Sequence, residues 1–170
     1  IAPVYRNFTI SNRVQMLDIG GKHITKYLSD SLLEMGFAEH TNNMRILEAI
    51  KRSCLLLPNS VGREDLNTLY TSPSGREVNL KNTAARASSE ILFNPSLINH
   101  PGPGIAELTH SVISSCATDV QHELYSRIYP SGAATTKQNF SNRLQSELKE
   151  HHAVPNYTSV ISNLDGCHTW

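Results

Sequence analysis

The chain has 170 residues, the length of one compact domain or of a piece of a larger one. Its 15 Lys+Arg against 15 Asp+Glu give zero net charge, which leaves no electrostatic footprint for non-specific nucleic-acid binding. Apolar residues at 39% and charged residues at 18% support a buried core, and no run approaches the roughly 18–20 apolar residues that would cross a bilayer.

The predicted elements are taken in chain order. Residues 4–6 and 14–19 read as strands, the second by partial alternation ending at the turn signal Gly20-Gly21. Ile24, Tyr27, Leu28, Ser31, Leu32 and Met35 share one stripe of period 3.6, which predicts a helix that Gly36 closes as its C′ residue. Thr41 or Asn42 is placed to cap a second helix with the stripe Leu47, Ile50 and Cys54. Residues 55–57 extend its apolar surface and Pro58 stops it. Residues 62–67 are polar and irregular. Leu69-Tyr70, then Ser72-Pro73-Ser74-Gly75, then Val78 and Leu80 predict a β-hairpin. Residues 84–91 are weakly helical, and Asn94-Pro95 opens a loop that holds Pro101-Gly102-Pro103-Gly104. Ile105, Leu108, Val112 and Ile113 form a helical face, and a shorter helix over 119–125 carries Val120 and Leu124. Ile128-Tyr129 is a short strand running into Ser131-Gly132-Ala133-Ala134-Thr135-Thr136. Residues 139–150 form an amphipathic helix with Phe140, Leu144 and Leu148 aligned, and 157–161 a final strand. Strands alternating with helices indicate an α/β fold.

Local chemistry signals are sparse. Cys54, Cys116 and Cys167 are far apart with no CxxC pair, so they read as reduced intracellular thiols rather than a disulfide framework or zinc site. The eight histidines form no HxxxH or HExxH pattern and read as surface or packing residues. The sequons at Asn7, Asn139 and Asn156 matter only in a secreted protein. There are no paired carboxylates, no Ser-His-Asp order and no GxxxxGK[ST] loop; Asp18 reads as a structural carboxylate beside Gly20-Gly21. The chain begins at Ile1 with no charged-then-apolar signal segment, which predicts the middle of a longer protein.

Several ordered motifs carry a family resemblance. Leu17-Asp18-Ile19-Gly20-Gly21-Lys22-His23-Ile24-Thr25-Lys26-Tyr27-Leu28 resembles the pattern LDLAGRDLTDYL, and residues 131–136 resemble an altered SGGTTM loop. Between them, Ile50-Lys51-Arg52 is similar to IKEK, residues 72–78 to an LPDG hairpin, and Glu90-Ile91-Leu92-Phe93-Asn94-Pro95-Ser96 to EALFQPS. Gly104-Ile105, Asp119-Val120, Leu124-Tyr125 and Asn142-Arg143-Leu144 keep the same register. In order and spacing the chain resembles the actin and actin-related protein family over nearly its whole length.

The resemblance implies an actin-like (ribonuclease-H-like) α/β fold, here its large-domain half with an inserted helical and hairpin subdomain. Residues of about 1–20 and 95–170 would be subdomain 3, and about 21–94 subdomain 4. The family's DSGxGxxH phosphate loop would fall before Ile1, and Trp170 matches the Trp that precedes the WIGG turn. Carried over position by position, Gly21, Lys51, Ser131, Gly132 and Thr135 match the family's nucleotide contacts. Arg52 stands where the family places a ribose-contacting Glu, exchanging an acceptor for a donor. Ala133 replaces the second loop Gly, Thr136 and Lys137 replace a base-stacking Met-Tyr pair, and Gly166 replaces a base-packing Lys.

The resemblance further implies a divergent actin-like structural subunit of a larger assembly with weak or no ATP turnover. It has no catalytic or metal-ligating residues of its own. ATP or ADP with magnesium stays open as a cofactor of the full-length protein only. The partners implied are other protein subunits of a hetero-complex, actin or actin-related proteins among them, with neither membrane nor nucleic acid. The location implied is the cytoplasmic cytoskeleton, or alternatively a nuclear chromatin-remodelling complex. An ATP-binding, slowly hydrolysing actin-like protein is the competing reading and requires intact phosphate loops upstream. A sugar kinase or chaperone ATPase would share the cleft but not the EALFQPS-like loop. A partial product would expose its cleft face and aggregate. The polar tip Asn99-His100-Pro101-Gly102 stands where filament-forming actins carry an apolar one, which implies weak self-polymerisation.

Overall fold

The computed structural model describes residues 1–41, 43–54, 68–71, 75, 77–80, 90–132, 135, 140–151 and 154–161. The predicted features at 55–58, 62–67 and 84–89, and at Gly166, lie outside them. The chain divides into two compact units: Ile1–Asp18 with Pro101–Trp170, and Ile19–His100.

The first unit opens with a hairpin of β1 (Val4–Tyr5) and β2 (Phe8–Thr9), paired Val4↔Thr9 and Tyr5↔Phe8. Its two-residue turn, Arg6-Asn7, has φ of 48° and 66°, the left-handed pair of a type I′ turn whose twist matches the strands. The predicted first strand therefore ends one residue early, at Tyr5. A 3-10 turn, Ser11–Arg13, comes next. The strand expected over 14–19 does not form. Beyond the 3-10 turn, this stretch is held by Gln15 N–H to Ile1 O at 3.0 Å and the Ile1 amino group to Gln15 O at 2.6 Å, and an extended run without a ladder is not a strand.

Helices α4 (Ile105–Ser114), α5 (Thr118–Ser126) and α6 (Phe140–His151) form the body of this unit, with α4 packed on both of the others. Their apolar stripes account for the packing: Leu108, Val112 and Ile113 on α4, Val120 and Tyr125 on α5, and Phe140, Leu144 and Leu148 on α6 are all buried. The α4 carbonyl end is satisfied by Gln121, whose Nε2 donates to Ser114 O at 3.1 Å and Cys116 O at 2.8 Å. The two predicted strands at 128–129 and 157–161 reduce to one parallel bridge, Ile128↔Val160. A turn closed by Thr158 N–H to Pro155 O, 2.9 Å, takes up the start of the second. Val160 N–H also donates to Gln145 Oε1 on α6 at 3.1 Å.

The second unit comprises α1 (Gly21–Glu34), α2 (Ala38–Thr41), α3 (Met44–Cys54), the antiparallel hairpin β3 (Thr68–Thr71) with β4 (Glu77–Leu80), and a 3-10 turn, Pro95–Ile98. Leu28 and Leu32 of α1 meet Leu47 and Ile50 of α3 in one cluster, flanked by Met35, Phe37, Ile46 and Tyr70. Burying each of these four aliphatic side chains contributes about 1.5–3 kcal/mol. The end of α1 is a Schellman motif: Gly36 adopts φ +85°, Phe37 N–H donates to Leu32 O at 2.9 Å and Gly36 N–H to Leu33 O at 3.0 Å. Asn42 lies outside the described residues, and the cap of α3 is Asn43 rather than Thr41. Its Oδ1 accepts from Arg45 N–H at 3.1 Å and Ile46 N–H at 3.4 Å, the two amides a cap at this position reaches. Thr41 instead ends α2, donating to Ala38 O at 2.8 Å.

Candidate functional site

The family-matched positions fall in both units. In the second unit, Gly20 caps α1 in an extended conformation, and its N–H donates to His23 Nδ1 at 3.2 Å, so the ring reaches back over the helix start. Gly21 is then the first residue of α1. Its carbonyl accepts the Thr25 hydroxyl proton at 2.9 Å and the Lys51 ammonium at 3.2 Å. Lys51, two turns into α3, further donates to Thr25 Oγ1 at 3.1 Å and to Glu48 Oε1 at 2.9 Å. An ammonium has three N–H donors, and these three oxygens of the described residues lie on it. The side chain of Lys51 is 16% exposed and that of Glu48 40%.

This node sits at one wall of a groove of about 680 Å³ lined by Gly21, Lys22, Lys26, Thr41, Met44 and Leu47, among others. The structure thus brings Gly21 and Lys51 together. It adds Thr25 and Glu48, which no sequence motif marks as site residues. Local signals for both exist in the sequence: a hydroxyl four residues after Gly21 and a carboxylate three residues before Lys51. Arg52 follows Lys51 in the α3 backbone, and its side chain lies outside the described residues.

In the first unit, Ser131, Gly132 and Thr135 form a tight turn. Gly132 has φ +104°, a conformation that side-chain-bearing residues rarely adopt. Its carbonyl accepts both the Thr135 N–H at 3.0 Å and the Thr135 hydroxyl at 2.8 Å. Ser131 is exposed and Thr135 half-buried, and both line a groove of about 770 Å³ whose apolar wall includes Ile105, Val112, Phe140 and Leu144. Ala133, Thr136 and Lys137 lie outside the described residues.

Other polar features are structural in character. His110 of α4 bonds Tyr125 Oη through Nδ1 at 2.9 Å and Ser114 Oγ through Nε2 at 3.3 Å, closing a three-member ring of side chains between α4 and α5. Asp18 is exposed at a bend. Among the described residues there is no cluster of three or more His, Cys, Asp or Glu that could hold a metal ion, and no helix long and apolar enough to cross a membrane.

Comparison with known proteins places these elements. The family model described as Actin matches residues 35–165. Actin-related protein 2 of Drosophila melanogaster is 34% identical over 159 residues, covering 88% of this chain and 40% of that protein. Actin-related protein 2 of Caenorhabditis briggsae is 33% identical over 159 residues, with the same shares covered. An actin-like protein of Neurospora crassa is 28% identical over 160 residues, 87% of this chain and 42% of its own. The chain therefore spans about two fifths of the length of these relatives. The helices and strands described above are parts of an actin-like, ribonuclease-H-like α/β fold, and the chain belongs to the actin family.

Proposed function

We propose that this actin-related chain serves as a structural subunit of a larger protein assembly, with weak or no ATP turnover. The observation that carries the reading is the set of departures at the base and ribose side of the family's nucleotide contacts. Arg52 is a donor where an acceptor is needed, Ala133 fills a glycine position, and Thr136 and Lys137 supply no stacking face. Each such loss weakens binding by about 1 kcal/mol or more. The contacts of Lys51 support the same conclusion. Its ammonium is taken up by Gly21, Thr25 and Glu48, so the residues present on this wall do not fit a nucleotide that would draw on that charge.

The two compact units are proposed to be subdomains 3 and 4, with boundaries at Asp18/Ile19 and His100/Pro101. The partners are other subunits of a hetero-complex, actin or actin-related proteins among them. The location is the cytoskeleton, with a nuclear complex as the second assignment. Weak self-assembly fits the loop tip, where Asn99 takes a left-handed φ of 54° after the Pro95–Ile98 turn and the polar run to Gly102 begins.

The test is the nucleotide content of the complete polypeptide. The purified full-length protein is denatured and its small molecules separated by chromatography. No nucleotide, together with no heat of ATP binding by calorimetry, is the expected result. Stoichiometric ATP or ADP would overturn the reading and favour an ATP-binding, slowly hydrolysing actin-like protein.

A further inference from the structure

We infer that Glu48 is a positioning residue that holds Lys51 in a clamp between α1 and α3, and so lowers the chain's affinity for anionic nucleotides. The inference deepens the proposed function and rests on it for the choice of ligand, although the clamp itself stands on geometry alone. Four groups from two helices converge. Lys51 Nζ lies 2.9 Å from Glu48 Oε1, 3.1 Å from Thr25 Oγ1 and 3.2 Å from Gly21 O. The single Thr25 hydroxyl proton serves Gly21 O at 2.9 Å, with Glu48 Oε1 in reach at 3.2 Å. Thr25 is buried at 6% exposure, so this end of the node is shielded from competing water.

The charges have two consequences. First, the ammonium is paired with a carboxylate one helical turn away on its own helix, which cancels the charge of Lys51 itself and leaves Lys22 and Lys26 as the other cations lining the groove. Second, the tie from Lys51 to Gly21 O and Thr25 joins α3 to α1 through the chain's own groups. Removing the carboxylate takes a charged partner from the ammonium and lets its charge act on a ligand. The gain must then be carried by Lys51, not by the mere loss of a negative charge.

The experiment uses the full-length protein and a fluorescent ATP analogue with magnesium, titrated by anisotropy. The variants are Glu48→Gln, Lys51→Met and the pair together, each checked by circular dichroism for native helix content. Glu48→Gln is expected to tighten binding by about fivefold, the range of one partly exposed ion pair. Lys51→Met in the Glu48→Gln background is expected to abolish that gain. An unchanged or undetectable affinity in Glu48→Gln overturns the clamp. So does a gain that persists in the double variant, which would mark simple repulsion by Glu48. Tight nucleotide binding by the unmodified protein would sink the proposed function but not this inference, which is judged on the ratios between variants.

Discussion

Replacing Gly36 by Ala isolates one backbone conformation from every side-chain contact. The residue sits just past α1 with φ +85°, and a Cβ built there meets nothing within 4 Å, so the substitution brings no clash. The remaining effect is the left-handed backbone, which costs an L-residue about 1–2 kcal/mol. Against this, Ala stiffens the unfolded chain and returns about 0.4–1 kcal/mol. The net expectation is a loss of about 1 kcal/mol, roughly a fivefold shift in the folded ratio. Asn tolerates this region better, so Gly36→Asn should lose about half as much. Urea denaturation of the full-length protein reads the stability. Hydrogen exchange reads the Gly36 and Phe37 amides, which bond Leu33 O and Leu32 O. Both amides should exchange faster in the Ala variant. An Ala variant as stable as the parent, or an Asn variant weaker than Ala, would refute the assignment of a strained C′ position.

Three further outcomes are expected. Asn43→Ala should cost about 1 kcal/mol in urea denaturation, because the Arg45 and Ile46 amides lose their shared acceptor, whereas Thr41→Val should cost less. Tyr125→Phe should lower stability by about 1 kcal/mol, and a double-mutant cycle with His110→Phe should give a coupling well above zero, since both residues belong to one ring of hydrogen bonds. Returning four positions to the family pattern (Arg52→Glu, Ala133→Gly, Thr136→Met and Lys137→Tyr) should raise the affinity of the full-length protein for ATP at least tenfold by calorimetry. No gain would show that these substitutions are not the cause of a weak site.

The helices were legible because their stripes are strong and local. Leu28 with Leu32, Leu47 with Ile50, and Phe140 with Leu144 and Leu148 repeat at the helical period, and all of them are buried. The β3–β4 hairpin was legible from its turn residues, with Gly75 at φ +80°. The N-terminal region misled because its cues are ambiguous. Arg6 is an uncommon residue for a left-handed turn position, so nothing in the sequence marked the end of the first strand there. The apolar alternation over 14–19 describes a chain that could pair, but pairing needs a neighbour that periodicity does not reveal. At Thr41, Asn42 and Asn43 three capping residue types stand in a row, and sequence alone does not select among them. At the site, family order alone put Gly21 with Lys51. Local spacing sets Thr25 beside Gly21 and Glu48 beside Lys51, but the meeting of the two pairs follows from the docking of α1 on α3, which no local spacing determines.

The two-part wiring of the first unit has a consequence for synthesis. Residues 1–18 are separated in sequence from their partners in 101–170 by the entire second unit. The β1–β2 hairpin packs against α5, about a hundred residues downstream. At the usual pace of translation that is a delay of the order of 5–20 s. A lone two-stranded ribbon does not hold itself together in water over such a wait. The contiguous second unit can close as soon as it leaves the ribosome. The hairpin, made before the rest of both units, is therefore among the last pieces to find its place, with Tyr5, half-buried in the finished unit, open meanwhile to any chaperone that reads apolar extended chain.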